Sequence, residues 1–174
     1  MRLDLGCGPN RKPSFLGVDV IPFEGVDLIY DLRARWPWED GSVQEAHSSH
    51  FVEHLKPKER IHFANELHRV LVPKGTATII TPHWCSQRAY GDLTHEWPPV
   101  SEFWFLYLGK EWRMSQAPHT DAEHMPGGYT CDFDATWVGE MNHEFPVRNN
   151  MAQDFARLWY KEAVTDLRAI LYKR

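Results

Sequence analysis

The feature that most narrows what this chain can fold into lies at its very start. Leu3-Asp4-Leu5 is a short apolar strand that runs directly into Gly6-Cys7-Gly8-Pro9-Asn10. A strand entering a Gly-x-Gly turn lets backbone approach a ligand more closely than any Cβ permits. Alone, such a turn is also an ordinary way to end a strand, so its meaning depends on the segments downstream.

Those segments alternate short apolar runs with polar turns. Arg2–Leu5, Leu16–Val20 and Val26–Tyr30 read as strands bounded by Gly, Pro or Asp, and Ser42–Ser48 reads as a fourth. Pro57 opens a helix at a first-turn position, where a missing N–H costs little. Ile61, Ala64, Leu67, Val70 and Leu71 keep one apolar face, which puts Lys58 and Arg60 on the outer, solvated side. Pro73-Lys74-Gly75 stops the helix, and Thr76–Thr81 is a fifth strand. Strands separated by crossovers point to a mainly parallel α/β sheet.

From Pro82 to about Asp134 the pattern loosens into Pro, His, Trp and Gly, with one helical stretch near Val100–Trp112. Ala135–His143 then reads as a strand, Met151–Tyr160 as a helix and Thr165–Tyr172 as a last strand. A chain of 174 residues suits one domain with a sizeable core. The expected division is a ligand-binding core at 1–81, an insertion or cap over the active site at 82–134, and closing elements at 135–174. An insertion that long should carry some order or close over a ligand.

Charge and cysteine usage exclude several partners. The net charge is −5 with no run of Lys or Arg, so free nucleic acid is disfavoured. Cys7, Cys85 and Cys131 are odd in number and widely spaced, which reads as a reduced, cytoplasmic protein without disulfides. No stretch reads as a membrane span or signal peptide, so no membrane partner is expected. His83, Cys85, His119, His124 and Cys131 match no paired-ligand zinc spacing, and no metal is expected.

The chemistry-bearing residues fall at strand ends. Asp19 ends the second strand, where a carboxylate can accept both hydroxyls of a ribose. Asp31-Leu32 follows the third, where an acid can take an adenine amino group and an apolar neighbour can cover the ring. Ser49-His50 follows the fourth and faces the same crevice, beyond the carboxyl ends of the strands, where open α/β sheets bind ligands.

With these residues in order, the chain resembles the class I S-adenosylmethionine-dependent methyltransferases, in particular compact type 11-like members. The resemblance rests on Asp4-Leu5-Gly6-Cys7-Gly8, Gly17-Val18-Asp19-Val20, Asp31-Leu32 with Trp36-Pro37-Trp38, and Asp40-Gly41-Ser42-Val43. Phe51-Val52-Glu53-His54-Leu55 and Leu67 to Gly75 complete a series that spans residues 2–81 in family order. It implies a Rossmann-like sheet with an antiparallel last strand, and S-adenosylmethionine as cofactor, leaving S-adenosylhomocysteine as product. It also implies roles: Gly6 and Gly8 along the methionine part, Asp4 steadying the loop, and Asp19 on the ribose. Asp31 and Leu32 would hold the adenine, and Ser49 and His50 would lie beside the sulfonium. Cys7 and Val20, inside the same motifs, join the cofactor-contacting set.

One departure stands out. Only a few residues, Pro9 and Pro13 among them, separate Gly8 from the second strand, where the family places a helix. A parallel crossover normally needs a dozen residues or more, so this one must be irregular or cut to one turn. A dinucleotide site relies on that helix N-terminus to hold a pyrophosphate. A sulfonium cofactor has no pyrophosphate, so the loss of that helix speaks against a dinucleotide and is tolerable here.

Methyl transfer from a sulfonium needs in-line positioning and exclusion of water, and a base only if the acceptor arrives protonated. Base candidates are His83, Tyr90, Asp92 and His95, because compact methyltransferases similar to this one often carry an Asp-x-x-His segment there. The expected acceptor is a small molecule or exposed group with an oxygen or nitrogen nucleophile. A module that binds the cofactor without turnover is one alternative. Another is an aminopropyl-type transferase, which would draw on the acidic Asp92, Glu96 and Glu102.

Overall fold

A computed structural model describes residues 1–119, 122, 124–143 and 150–174, so positions 120, 121 and 123 of the expected insertion lie outside the described residues. The first half contains β1 (Arg2–Leu5), β2 (Leu16–Asp19), β3 (Leu28–Ile29), β4 (Val43–Ser49), a 3₁₀ turn (Val52–His54), α1 (Pro57–Val70) and β5 (Leu71–Pro82). The second half contains α2 (Arg88–Gly91), α3 (Glu102–Tyr107), α4 (Lys110–Gln116), β6 (Phe133–Met141), α5 (Asn150–Trp159) and β7 (Val164–Lys173).

The strands form one seven-stranded sheet in the order β3-β2-β1-β4-β5-β7-β6. β1 to β5 pair in parallel, while β7 runs antiparallel between β5 and β6. This is the Rossmann-like α/β sheet with an antiparallel last strand that the sequence implies. The chain leaves β1 toward β2 and β3, then returns to place β4 on the other side. Adjacent strand ends at such a switch point open the crevice where ligands bind. Gly6 follows β1 there, and His50 follows β4.

The first crossover contains no helix, and carboxylates hold it in place. The N–H groups of Gly6 and Cys7 both donate to the Val18 carbonyl, at 2.8 and 3.1 Å. Asp4 is buried and takes the Lys12 N–H at 2.6 Å, with its other oxygen 2.7 Å from His47 Nδ1. Asp27 accepts from the Gly17 N–H at 2.7 Å and from Arg11 at 3.0 Å. A loop whose donors are satisfied in this way can replace a helix without stranding polar groups. The segment between β3 and β4 is also irregular, and the buried Trp36 packs edge-on against Phe63 of α1.

α1 buries Phe63, Ala64, Leu67 and Val70 against the sheet. Full burial of the larger of these, Phe63, Leu67 and Val70, stabilises by about 1.5–3 kcal/mol each. Lys58 is exposed as its position on the outer face suggests, but Arg60 is not: only 5% of it remains accessible. The chain beyond β5 folds back over this side of the helix and gives Arg60 backbone carbonyls to bond.

Three element boundaries also differ from expectation, each for a local reason. β3 is only two residues long, Leu28–Ile29. β5 begins at Leu71, straight after the helix, because Pro73-Lys74-Gly75 forms a bulge with Lys74 at φ 63° and pairing continues on both sides. The stretch near Val100–Trp112 divides into α3 and α4 at Leu108-Gly109, where the start of β6 docks. There the Phe133 N–H donates to the Leu108 carbonyl at 3.0 Å, and a Cβ on Gly109 would stand 3.1 Å from the Phe133 oxygen. No helix among the described residues is long and apolar enough to cross a membrane.

Candidate functional site

The glycine turn after β1 forms one wall of the crevice. Gly6 and Gly8 both have left-handed backbones, at φ 68° and 53°, a region that favours glycine. Their missing side chains serve different ends. A Cβ on Gly6 would fall 2.3 Å from the Phe51 ring, whereas one on Gly8 would meet nothing within 4 Å. Gly6 is therefore required by internal packing, and Gly8 leaves bare backbone facing open space.

Asp19, at the end of β2, links this turn to the adjoining cleft. One carboxylate oxygen accepts the Gly8 N–H and the other the Ile21 N–H, both at 2.9 Å. A carboxylate has about four lone-pair sites, so each oxygen keeps capacity for a ligand hydroxyl. A cleft of about 160 Å³ opens here, lined by Asp19, Val20, Asp31, Leu32, Phe51 and His54 among others. Three of the residues expected to hold a ribose and adenine, with Val20 of the same cofactor-contacting set, thus share one small cavity with an aromatic ring. Arg33 grips Asp31 through Nε and Nη2, both at 2.9 Å, and through its own N–H. Those hydrogen bonds hold the Asp31 carboxyl below its ordinary range.

Beyond the end of β4, the His50 side chain approaches Asp166 near the start of β7. His50 has φ 53°, and its Nδ1 lies 3.3 Å from Glu53 while Nε2 lies 3.9 Å from Asp166. Both carboxylates are buried, and Asp166 also pairs with Arg88 at 2.6 Å. The hydrogen bond to Glu53 raises the His50 pKa against the opposing effect of burial. Ser49 is part-buried and pairs with Ile80 in the sheet. The expected His50 therefore stands in a charged cluster whose other members, Glu53, Asp166 and Arg88, the sequence did not mark as functional. Asp166 lies more than a hundred residues beyond His50, which leaves no local signal to find it.

The expected base candidates fall into two places. His95 is nearly buried, with Nε2 3.8 Å from Asp92, and its ring meets that of His54 edge-on with centroids 4.7 Å apart. His54 lines the Asp19 cleft, so this pair stands at its mouth. His83 instead bonds Glu102 at 2.8 Å and Cys85 at 2.9 Å, and lines a different cavity with Trp137 and Arg157. The Tyr90 hydroxyl donates to the Trp84 carbonyl. Among the described residues, the group of three side chains near enough to share a metal ion is Glu53, His54 and His95. It includes none of His83, Cys85, His119, His124 and Cys131.

Cys7 sits in the glycine turn as a thiol, not a nucleophile. Burial, with Asp4 and Asp19 nearby, pushes its pKa up to about 11. At pH 8 its alkylation by iodoacetamide should run on the order of a hundredfold slower than that of an ordinary thiol, because the thiolate reacts. The rate should climb until pH approaches 11. Mass-spectrometric mapping of the modified peptide checks this, and fast labelling at pH 8 would contradict it.

No protein-family model matches the chain, and no curated protein matches its sequence. Solved structures match its fold over 99% of its length. One is a SAM-dependent methyltransferase from Archaeoglobus fulgidus, at 18% identity and TM-score 0.67, of which 85% is covered. Another is a SAM-dependent methyltransferase from Methanosarcina mazei, at 14% identity, TM-score 0.59 and 91% coverage. A third is the geranyl diphosphate C-methyltransferase of Streptomyces coelicolor, in complex with Mg2+, geranyl diphosphate and S-adenosyl-L-homocysteine, at 13% identity, TM-score 0.55 and 72% coverage. At these identities the likeness is one of fold, and the fold is that of the class I methyltransferases.

Proposed function

We propose that this chain is an S-adenosylmethionine-dependent methyltransferase acting on a small or exposed oxygen or nitrogen nucleophile. The observation that carries the reading is Asp19, which braces Gly8 and opens onto the cleft with Asp31 and Leu32. The residues present fit such a cofactor. Gly8 leaves room at the turn, Leu32 and Phe51 supply apolar surface, and Asp19 supplies acceptors for two hydroxyls. Asp19, Asp31, Glu53 and Asp166 favour a cationic ligand over a pyrophosphate along this crevice.

The cofactor supplies an activated methyl group, and the chain has to orient, desolvate and manage one proton. The buried side of the crevice excludes water, and the charged groups after β4 fix the polar end. For an acceptor that arrives protonated, His50 is placed to take the proton, with Glu53 and Asp166 to hold the resulting imidazolium. His95 with Asp92 flanks the same mouth as a second imidazole–carboxylate pair. His83 and Tyr90, engaged elsewhere, suit the role less well.

Incubation with methyl-labelled S-adenosylmethionine and pools of alcohols, amines and carboxylic acids tests the proposal. Acceptor-dependent release of S-adenosylhomocysteine with label in one product is the expected result. Cofactor binding with no turnover on any pool would favour the binding module. Methylthioadenosine formed from the decarboxylated cofactor would favour aminopropyl transfer. Failure of a folded sample to bind either cofactor form would overturn the reading.

A further inference from the structure

Glu53, His54 and His95 each bring one ligand-capable atom within 4.8 Å of the others. The segments that carry them are held in register by backbone, since the Glu96 N–H donates to the Glu53 carbonyl at 2.8 Å. From the donor set we infer that these three side chains bind a divalent transition-metal ion of the zinc class at the mouth of the cleft.

The hydrogen bonds around the cluster leave the right atoms free. His54 Nδ1 lies 3.3 Å from the Thr94 carbonyl oxygen, which can only accept, so the proton resides on Nδ1 and Nε2 keeps its lone pair. His95 turns Nε2 toward Asp92 at 3.8 Å, while its Nδ1 is buried with no hydrogen-bond partner. Its side chain is only 10% exposed, so water does not serve that nitrogen freely. Glu53, 4% exposed, accepts the Thr81 hydroxyl on Oε2 at 3.1 Å. Its buried Oε1 faces His50 Nδ1 at 3.3 Å and keeps further lone-pair capacity. A buried lone pair left unserved, as on His95 Nδ1, is costly, and a cation bound there removes the cost.

Outer partners are present for both imidazoles. Ligating histidines usually direct their second ring nitrogen at a carboxylate or backbone carbonyl; the Thr94 carbonyl fills that place for His54 at 3.3 Å, and Asp92 stands 3.8 Å from His95 Nε2, near but not hydrogen-bonded. The Thr94 hydroxyl bonds Asp92 at 2.7 Å and lies 3.1 Å from His54 Nδ1, so one residue braces both. Two imidazoles and one carboxylate form the open three-ligand set that zinc accepts while keeping a position for another donor. Donors held at about 2.0–2.2 Å by one tetrahedral ion stand roughly 3.3–3.6 Å apart, so side chains now within 4.8 Å of one another must draw together on binding. Binding of the ion does not depend on the methyl-transfer reading.

The test uses the full chain, stripped with EDTA and titrated with Zn2+ against a chromophoric chelator at pH 7.5, with Co2+ absorption as a second readout. One equivalent at micromolar affinity or tighter is expected, with intense Co2+ bands of low coordination number. His54→Ala and His95→Gln should each weaken binding by a hundredfold or more, and Glu53→Gln should do the same. Because His54 is exposed, its substitution decides the question even if a buried variant fails to fold. Absence of a stoichiometric equivalent, or one that His54→Ala leaves unchanged, overturns the assignment.

Discussion

Replacing Asp19 with Ala is expected to weaken binding of S-adenosylmethionine and S-adenosylhomocysteine by at least a hundredfold. The carboxylate holds two backbone N–H groups at 2.9 Å and keeps lone pairs for two ligand hydroxyls. Hydrogen bonds to a charged group contribute about 1.5–3 kcal/mol each, so losing two removes roughly 3–6 kcal/mol. That corresponds to two to four powers of ten in Kd. The substitution also strips the Gly8 N–H of its partner, which loosens the turn that must approach the ligand. Asp19→Asn keeps an acceptor and should fall between wild type and Ala. Asp31→Ala should cost less, about tenfold, because Arg33 already occupies much of that carboxylate. Calorimetric titration, with circular dichroism to verify folding, measures the series. An unchanged Kd in a folded Asp19→Ala sample would remove the ribose from this end of β2.

That order of effects rests on features legible in the amino-acid sequence. β1 with its glycine turn, β2 ending in Asp19 and Pro57 opening α1 are local signals, since strand alternation, turn glycines and a first-turn proline act within a few residues. The missing first helix is equally legible, because the interval from Gly8 to Leu16 is too short to contain it. The environment of His50 is not. Glu53 reads as a turn residue until Thr81 and His50 close around it, and Asp166 reads as one polar position in an alternating strand. His54 and His95 are likewise unrelated by spacing, and only the fold-back after β5 sets their rings edge to edge. Sequence periodicity reports which face of an element is apolar. It carries no record of a polar group recruited by a distant segment.

Arg60 is the case where that limit has the largest consequence for stability. Its helical position marks it as solvated, yet its guanidinium bonds the carbonyls of Val52, Glu53, Glu96 and Pro98. Burial lowers its pKa, and the charges of Glu53 and Glu96 only partly offset that effect. The planar fork suits four carbonyls spread over two segments, a span that a lysine ammonium does not reproduce. Arg60→Ala should therefore destabilise the protein by about 3 kcal/mol, since it leaves buried acceptors without a donor. For a chain of this size that is a fall in Tm of roughly 6–12 °C. Arg60→Lys should recover only part of the loss, and Arg60→Met, which keeps the aliphatic packing, should separate the hydrogen bonds from the stem. Proteolysis near residues 92–99 should accelerate in the Ala variant, because the bonds to Glu96 and Pro98 hold that segment against the 3₁₀ turn. A Tm within about 2 °C of wild type would mean that water replaces the guanidinium at little cost. In that event the backbone bond from Glu96 to Glu53 would be sufficient to hold His95 beside His54.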